Sequence, residues 1–438
     1  MREDIVIIGG GLAGTEAAWQ AANRGAKVTL YEMRPKEMTK AHKTGDLAEL
    51  VCSNSLGSAD PLNAPGILKT EMRRLNSLVI RAAEEARVPA GSALAVDREQ
   101  FARVITQALE RHPNIRIMRE EVTEIPQDAV TIIATGPLTS EKLSKAISEL
   151  THERHLYFFD AISPIIDAES INMDIVYRAS RYGKGGADYL NCPLDEAAYN
   201  ALYDAMMTAE KVQPKEFEKI AYFESCIPIE VMAERGRQTM QFGPLKPVGL
   251  EHPKTGVRPY AVVQLRTENA HGTCYNMVGF QTKLTYPEQR RVFRLIPGLE
   301  NAEFLRLGSL HRNTFINSPQ LLRETLQLKS RGTVFFAGQL VGVEGYTESA
   351  AMGGIAGINA ARGLADQPLV TPPPNSAHGC LIGHITKSDP AHFQPMNTNF
   401  GLFPPVTVKT RDKDQKRRLI QQRAVEDFDA WIAQSGLS

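Results

Sequence analysis

The chain has 438 residues, enough for two or three domains around a sizeable buried core. Fifty basic residues balance fifty acidic ones, which argues against a globally charged surface for nucleic acid or anionic membranes. The five cysteines form no C-x-x-C pair, and no stretch approaches the roughly 18 apolar residues of a membrane span. We therefore expect a cytoplasmic protein without a signal peptide, a membrane segment or a disulfide framework.

The chain opens with a predicted strand, a glycine turn, a helix and a second strand. Asp4–Ile8 is a short run of mainly β-branched residues, Thr15–Arg24 has helical composition, and Lys27–Tyr31 is again typical of a strand. This order predicts a βαβ unit, which requires a parallel sheet. Predicted strands over 114–119 and 129–134 complete a first part, residues 1–150.

Between these strands lie a thiol-bearing loop and two predicted helices. Cys52 stands among serines, asparagines, glycines and prolines, which favour neither a long helix nor a central strand. Apolar spacing then predicts one helix over 66–86 and another over 97–111. Asp97 and Gln100 resemble a capping box at the start of the second helix.

The rest of the chain predicts an insert and a return to the first domain. Dispersed aromatic residues and short strand-like runs, such as YAVVQL at 260–265, indicate an inserted α+β domain over 151–325. Residues 332–340 then predict a buried strand, and 349–364 a helix of small residues. A loop-rich section to about residue 408 and a final helix complete the second part, 326–438.

The glycine turn matches the G-x-G-x-x-G fingerprint of dinucleotide-binding proteins. Gly9 permits the turn, Gly11 lets the backbone approach a pyrophosphate, and Gly14 allows close packing of helix on strand. Glu32 ends the second strand, where a carboxylate can accept hydrogen bonds from the adenosine ribose. The predicted cofactor-binding residues here are Gly9, Gly10, Gly11, Leu12, Ala13, Gly14 and Glu32.

The second half of the chain favours FAD over NAD. The strand after residue 332 leads to Gly338 and Gln339, and a helix then begins near Ser349. The N-terminus of such a helix stabilises the negative charge that a reduced flavin carries. We therefore predict an α/β fold in which a Rossmann-like FAD-binding domain of the glutathione-reductase type is interrupted by the α+β insert.

The spacing of the cysteines and histidines predicts no metal site. Cys52 and Cys226 lie in the more unusual segments, whereas Cys192, Cys274 and Cys380 carry weaker local signals. Any single cysteine is more often an inert, half-buried apolar residue than a catalyst. The ten histidines lack the spacings of a zinc site, and no further ligand stands near His152 and His155.

Five longer stretches carry a more specific resemblance. They are IVIIGGGLAGTEAAWQAANRGAKVTLYEMRP, LAELVCSNSLGS, ESCIPIEVMAERG, GPLKPVGL and FFAGQLVGVEGYTESAAMGG. Together they resemble the folate- and FAD-dependent tRNA (uracil-5-)-methyltransferase family from residue 1 to about 410. The resemblance implies methylation of the T-loop uridine at tRNA position 54, with 5,10-methylenetetrahydrofolate as one-carbon donor and FAD that NAD(P)H reduces.

The resemblance also implies roles for particular residues. Cys226 would attack uracil C6 and Cys52 would be a second thiol, acting as acid/base or in a flavin-linked intermediate, although these roles could be exchanged. Tyr346 would stack on folate, and Glu344 and Glu348 would position folate or relay protons unless they are merely solvated. Candidate tRNA phosphate contacts, each also readable as a solvated face, are Arg34, Lys36, Lys40, Lys43, Arg178, Arg181, Lys184, Lys413, Lys416, Arg417 and Arg418.

Three other functions compete with this interpretation. A related flavoprotein modifies the tRNA wobble uridine, but it has a long helical C-terminal extension, and this chain has only a short tail after its last glycine-rich helix. A flavin oxidoreductase of small molecules fits the neutral net charge. An FAD-binding structural protein would keep all its properties when either cysteine is replaced. No obligate protein partner and no membrane contact are predicted.

Overall fold

A computed structural model describes residues 4–39, 41–152, 156–161, 163–212, 227–269, 271–308, 310–406 and 412–437. Three residues named above, Lys40, His155 and Cys226, lie outside these ranges. Across the described ranges, every helix is too short or too polar to cross a membrane.

The described elements begin with the predicted βαβ unit, in which both predicted strands match residue for residue. The strands are β1 (Asp4–Ile8), β2 (Lys27–Tyr31), β3 (Ser55–Ser58), β4 (Arg87–Val88), β5 (Ala93–Val96), β6 (Ile115–Met118), β7 (Val130–Ile133), β8 (Leu156–Ala161), β9 (Ile165–Asp167), β10 (Tyr177–Ala179), β11 (Tyr189–Leu194), β12 (Ala261–Thr267), β13 (Cys274–Met277), β14 (Phe304–Arg306), β15 (Leu310–Phe315) and β16 (Val334–Phe336). The helices are α1 (Leu12–Ala22), α2 (Ala64–Arg74), α3 (Leu78–Glu85), α4 (Arg98–Glu110), α5 (Glu141–Thr151), α6 (Glu196–Thr208), α7 (Ile229–Glu234), α8 (Thr239–Phe242), α9 (Tyr286–Phe293), α10 (Ser318–Leu321), α11 (Tyr346–Leu364), α12 (Ala377–Lys387) and α13 (Lys413–Ser435).

A five-stranded parallel sheet lies at the centre of the nucleotide-binding part, in the order β16-β7-β1-β2-β6. Ile5 and Ile7 of the central strand β1 are fully buried, as expected for a parallel strand that is covered on both faces. β16 arrives from late in the chain and pairs with β7, with Val334 opposite Thr131. The predicted return of the chain to the first domain is therefore confirmed.

The insert has its own sheet and its own core. Six antiparallel strands lie in the order β10-β11-β12-β13-β9-β14. Helices α6, α7 and α9 pack their buried side chains, including Tyr199, Ile229 and Phe293, into a hydrophobic cluster separate from that of the parallel sheet. The fold class, a Rossmann-like domain interrupted by an α+β insert, is confirmed. The boundaries at residues 150 and 325 stay predictions.

The prediction of one helix over 66–86 is wrong, because the segment forms α2 and α3 with a break between them. Asn76 adopts a positive φ of 53°, and the Ser77 hydroxyl accepts a hydrogen bond from the Ile80 N–H to start α3.

Of the predicted capping box at Asp97 and Gln100, only the first hydrogen bond forms. The Asp97 carboxylate caps α4 at the N–H of Gln100, but the Gln100 side chain donates to the Glu85 carbonyl instead.

Three further differences concern the second part of the chain. Only Val334–Phe336 of the predicted 332–340 strand is extended, since a 3₁₀ turn follows over Gly338–Val341. The small-residue helix begins at Tyr346, before the predicted start near Ser349. The tail that was predicted to be loop-rich contains α12, whose N-terminus is capped by the Ser376 hydroxyl.

The glycines of α11 serve close contact with α1. A Cβ on Gly353 would lie 2.1 Å from the Ala13 carbonyl oxygen, and one on Gly357 would lie 2.4 Å from that of Ala17. Such distances leave no room for a larger residue, so the two helices pack backbone against backbone. This contact brings the N-terminus of α11 to the same region as the glycine turn before α1.

Candidate functional site

The glycine turn has the geometry that its sequence predicts. The Gly9 N–H donates to the Tyr31 carbonyl at 2.8 Å, and Gly9 has a φ of +106°. A Cβ on Gly14 would lie 1.8 Å from the Gly9 carbonyl oxygen, whereas one on Gly11 would meet no atom within 4 Å among the described residues. The turn therefore closes tightly on its strand at Gly14 and leaves open space in front of Gly11, where α1 begins.

Glu32 closes the other side of this turn. Its Oε2 accepts from the Gly10 N–H at 2.9 Å, and its Oε1 accepts from the Arg34 Nε at 2.8 Å. Burial acts to raise the pKa of the Glu32 carboxyl, but the hydrogen bonds and charge of Arg34 outweigh it and hold that pKa below its ordinary value. The carboxylate is ionised at neutral pH, and Oε2 has a lone pair left for a ribose hydroxyl.

A narrow space of about 80 Å³, here called the nucleotide cleft, lies above the turn and is lined by Gly9, Gly10, Gly11 and Glu32. His42 also lines it, and burial, followed by the charge of Arg34, lowers the pKa of its imidazole to about 4. The imidazole is therefore neutral at pH 7. The cleft offers N–H groups at a helix N-terminus, the Glu32 carboxylate and a neutral imidazole.

A wider space of about 400 Å³, here called the thiol cavity, adjoins the nucleotide cleft at Leu138, which lines both. Cys52, Gln339 and Tyr346, which the sequence predicts for the site, all line it. A cleft for a nucleotide beside a cavity of this volume fits a dinucleotide whose second half is a large ring system. The arrangement therefore fits FAD.

Cys52 and Tyr346 are in direct contact, although 294 positions separate them in the sequence. The Cys52 N–H donates to the Tyr346 hydroxyl oxygen at 2.8 Å. Gly345, with a φ of +120°, directs the chain into α11 at this point. The structure thus brings the predicted second thiol and the predicted folate-stacking ring to one wall.

The two glutamates beside Tyr346 are buried rather than solvated, with exposed fractions of 8% for Glu344 and 4% for Glu348. Glu344 accepts from the Gln339 amide at 2.7 Å, and Glu348 accepts from the backbone N–H of Thr398 at 3.0 Å. Both carboxylates line the thiol cavity. Their positions are therefore held by the surrounding chain.

Gly338 and Cys226 differ from the other predicted site residues. Gly338 packs on α1, since a Cβ there would lie 2.8 Å from the Ala13 Cβ. Cys226 lies outside the described residues. The chain that follows it is hydrogen-bonded to the cavity wall, because the Ile229 N–H donates at 2.7 Å to the carbonyl of Gln281, which lines the thiol cavity.

The sequence did not indicate the residues that hold the Cys52 loop from behind. Arg98 donates to the Leu50 carbonyl at 2.7 Å and to the Cys52 carbonyl at 2.8 Å. Arg306 donates to the Val51 carbonyl at 2.6 Å. Glu268 of the insert pairs with Arg98. No local pattern reveals these contacts, because they join segments up to 255 positions apart.

Three other cysteines have environments that disfavour a thiolate. Burial raises the pKa of Cys192, which is fully buried in β11, and it raises that of Cys380 to about 12. Burial also raises the pKa of Cys274. These three thiols are protonated at neutral pH, in keeping with their weaker sequence signals.

The candidate phosphate contacts divide by exposure. Arg34 is 1% exposed and paired with Glu32 and Glu49, so its prediction as a surface contact is wrong. Arg181 is half-buried and donates to the carbonyls of Lys246 and Val248. The other described members of the set are exposed, namely Lys36, Lys43, Arg178, Lys184, Lys413, Lys416, Arg417 and Arg418.

Among the residues with described positions, no cluster of three or more His, Cys, Asp or Glu side chains could hold a metal ion.

Comparisons with known proteins place the chain in a family. The family model described as "Glucose inhibited division protein A" matches residues 4–368. A methylenetetrahydrofolate–tRNA-(uracil-5-)-methyltransferase TrmFO from Geobacter sulfurreducens is 57% identical over 98% of this chain and 99% of its own length. The TrmFO of Pelotomaculum thermopropionicum is 59% identical, over 97% of each chain. This chain belongs to the TrmFO family.

TrmFO relatives match the chain from end to end. The TrmFO of Aquifex aeolicus is 56% identical over 100% of this chain and 98% of its own length. Among solved structures, GidA from the same organism superposes with a TM-score of 0.71 at 19% identity, covering 100% of this chain and 74% of GidA. That similarity supports the fold, and the full-length identity supports membership of the TrmFO family.

Proposed function

We propose that this protein transfers a one-carbon unit from 5,10-methylenetetrahydrofolate to C5 of a uridine in tRNA and reduces it to a methyl group. The observation that carries the proposal is the contact between Cys52 and Tyr346 at the wide end of a cleft that fits FAD. The names of relatives that are 55–59% identical over nearly the whole chain describe the same reaction, which supports the proposal.

The chemistry requires a thiolate beside the base. Uracil C5 becomes nucleophilic when a thiolate forms a bond to C6, and we assign this attack to Cys226. Cys52 then serves as the acid/base that removes the C5 proton, although the two roles could be exchanged. The bound FAD, when reduced by NAD(P)H, supplies the electrons that convert the transferred one-carbon unit into a methyl group.

The residues of the thiol cavity suit a folate and a flipped base. The Tyr346 ring lines the cavity and can stack on the pterin of folate, while its hydroxyl is already bonded to the Cys52 N–H. Glu344 and Glu348 are held in the wall and can accept N–H groups of folate or relay a proton. A uridine must leave its stack to enter this space, at a cost of a few kcal/mol.

We further propose that the target is the uridine at position 54 in the T-loop. The T-arm is the predicted partner, and the protein is expected to act in the cytoplasm without an obligate protein partner. The wobble-uridine enzyme remains the nearest alternative. Identity of 57% to a TrmFO relative, against 19% to GidA, favours the T-loop function.

The test uses the FAD-loaded protein, an unmodified tRNA transcript, methylenetetrahydrofolate labelled in its one-carbon unit, and NADH or NADPH. We expect label at C5 of uridine 54 after nuclease mapping. Label at the wobble position would select the related flavoprotein function. Consumption of reduced nicotinamide without tRNA labelling would indicate a small-molecule oxidoreductase.

Cysteine variants assign the thiols in the same assay. We expect Cys226→Ala and Cys52→Ala each to abolish methylation, while Cys192→Ala, which changes a buried protonated thiol, leaves it measurable. tRNA that contains 5-fluorouracil should form a covalent adduct with Cys52→Ala protein but not with Cys226→Ala. The opposite pattern would exchange the two roles.

A further inference from the structure

A second large cavity lies behind the Cys52 loop. It has a volume of about 720 Å³, and its walls come from the nucleotide-binding part, including Arg98, and from the insert, including Glu268 and Arg306. Of these two cavities, Cys52 lines the thiol cavity in front. The Cys52 loop therefore separates the two cavities, and guanidinium groups on the side of the second cavity contact its backbone.

The two guanidinium groups differ in their counter-ions. Arg98 forms a two-point pair with Glu268, with Nε–Oε2 at 2.5 Å and Nη2–Oε1 at 3.2 Å, so its charge is compensated. Arg306 donates to the Val51 carbonyl, and within the described residues no carboxylate lies within 4 Å of its guanidinium nitrogens. Among the described residues, the Arg306 charge therefore has no paired carboxylate. It lies at the carbonyl of Val51, the residue before Cys52.

We propose that Arg306, which the inserted sheet contributes, holds the thiol of Cys52 in its anionic, reactive form. The proposal rests on the proposed function, in which Cys52 takes the C5 proton. The thiol releases its own proton to solvent and becomes a thiolate, which is the form that accepts a proton. Because an arginine is always charged, it favours a nearby anion at every working pH. Arg306 is a positioning residue, since it acts through Cys52.

The other charged groups around Cys52 set the size of the effect. Arg98 and Glu268 face the loop from behind as an ion pair, and the buried Arg266 guanidinium donates to the Asn54 side chain of the loop at 2.9 Å. The Tyr346 phenol, Glu344 and Glu348 line the cavity in front. The two glutamates oppose a thiolate. Burial and the charge of Arg98 lower the pKa of the Arg306 guanidinium, but the charges that Cys52 and Tyr346 can carry act to raise it. Arg306 is therefore coupled to the same two groups.

The test measures the rate at which iodoacetamide alkylates Cys52 in the FAD-loaded protein from pH 5.5 to 9.5. Mass spectrometry of the Cys52 peptide reports this one thiol, and Cys52→Ser protein provides the blank. We expect Arg306→Gln to move the midpoint of the profile upward by about 0.5 to 1 pH unit, which makes alkylation about three- to tenfold slower at pH values well below the midpoint. Arg306→Lys keeps the charge and should restore most of the rate.

Two further variants guard against a merely structural explanation. Glu268→Gln leaves the Arg98 charge unpaired, so we expect the midpoint to move downward, opposite to Arg306→Gln. Arg103→Gln removes an exposed charge from the same rear cavity without touching the loop, and should leave the profile unchanged. Should Arg306→Gln fail to retain FAD, Arg306→Met, which also removes the charge but keeps a long side chain, decides the matter.

An unchanged midpoint in Arg306→Gln would overturn the proposal. A Cys52 that resists alkylation up to pH 9.5 would also overturn it, because this thiol is half-exposed. The measurement needs no tRNA and no folate. A shifted profile in a protein that does not methylate tRNA would therefore refute the proposed function and leave the role of Arg306 standing.

Discussion

The nucleotide cleft and the thiol cavity meet at Leu138, yet their walls come from very different spans of sequence. The main contacts of the cleft, from Gly9 to Arg34, lie within one βαβ unit. The thiol cavity joins the loop at Cys52 to α11, and contacts from the insert hold that loop. The cleft is therefore formed mainly by residues close in sequence, whereas the thiol cavity is formed by segments that are far apart in the sequence.

The difference teaches where sequence patterns carry function. The sequence of a glycine turn shows its function directly, because each glycine is required by a particular close backbone contact. The reactivity of a thiol depends on charges that other segments bring to it. Substitutions in the cleft should therefore act through the turn itself, and those around the cavity through distant partners.

The largest effect is expected from Gly14→Ala. Its Cβ would lie 1.8 Å from the Gly9 carbonyl oxygen, so the turn cannot close and the protein should lose both FAD and its folded state. Gly11→Ala adds a Cβ into open space, and we expect a stability within about 1 kcal/mol of the parent but at least a tenfold weaker FAD affinity. Equal stability of the two variants by thermal melting would contradict this local account of the cleft.

The contact between α1 and α11 links the two sites, and substitutions there should destabilise the protein less than Gly14→Ala does. Gly353→Ala places a Cβ 2.1 Å from the Ala13 carbonyl oxygen and should lower the free energy of unfolding by about 1–3 kcal/mol. Gly354→Ala, where the nearest atom would be 3.6 Å away, should raise it by about 0.5–1 kcal/mol. Denaturant titration of both variants measures the difference, and losses of equal size would argue against this packing.

Acid should destabilise the cleft through His42. Its pKa is lowered to about 4 in the folded protein from an ordinary 6.5, so its contribution to stability is complete above pH 6.5 and is lost as the pH falls towards 4. The loss from this group is about 2 kcal/mol at pH 5. His42→Asn should flatten the fall in unfolding free energy over this range, and an equally steep profile would refute the assignment.

The smallest effect is expected from Tyr346→Phe. The ring that is proposed to stack on folate remains, but the Cys52 N–H loses its acceptor, at a cost of about 1 kcal/mol. We expect kcat for tRNA methylation to fall about fivefold with little change in the KM for folate. Tyr346→Ala should raise that KM as well. A Phe variant that changes only KM would show that the hydroxyl plays no part in placing the thiol loop.

Sequence reasoning succeeded where the composition and periodicity of a segment identify its element. The strands of the βαβ unit, the return of β16 and the α+β character of the insert were predicted correctly. The single helix over 66–86 was not, because apolar spacing continues across the break at Asn76 and a positive φ leaves no trace in that pattern. α12 was missed behind a proline run, and its buried face is recognised only by the packing around it.

The sequence by itself determined the glycine turn, the Glu32 carboxylate that faces it, the fold class and, through its longer motifs, the family. The tertiary structure decided that Cys52 contacts Tyr346, that Glu344 and Glu348 are buried, and that Arg34 belongs to the cleft rather than to a tRNA surface. The physical reason is that backbone requirements act over a few residues. Burial and charge act through space, between segments whose spacing in the sequence is arbitrary.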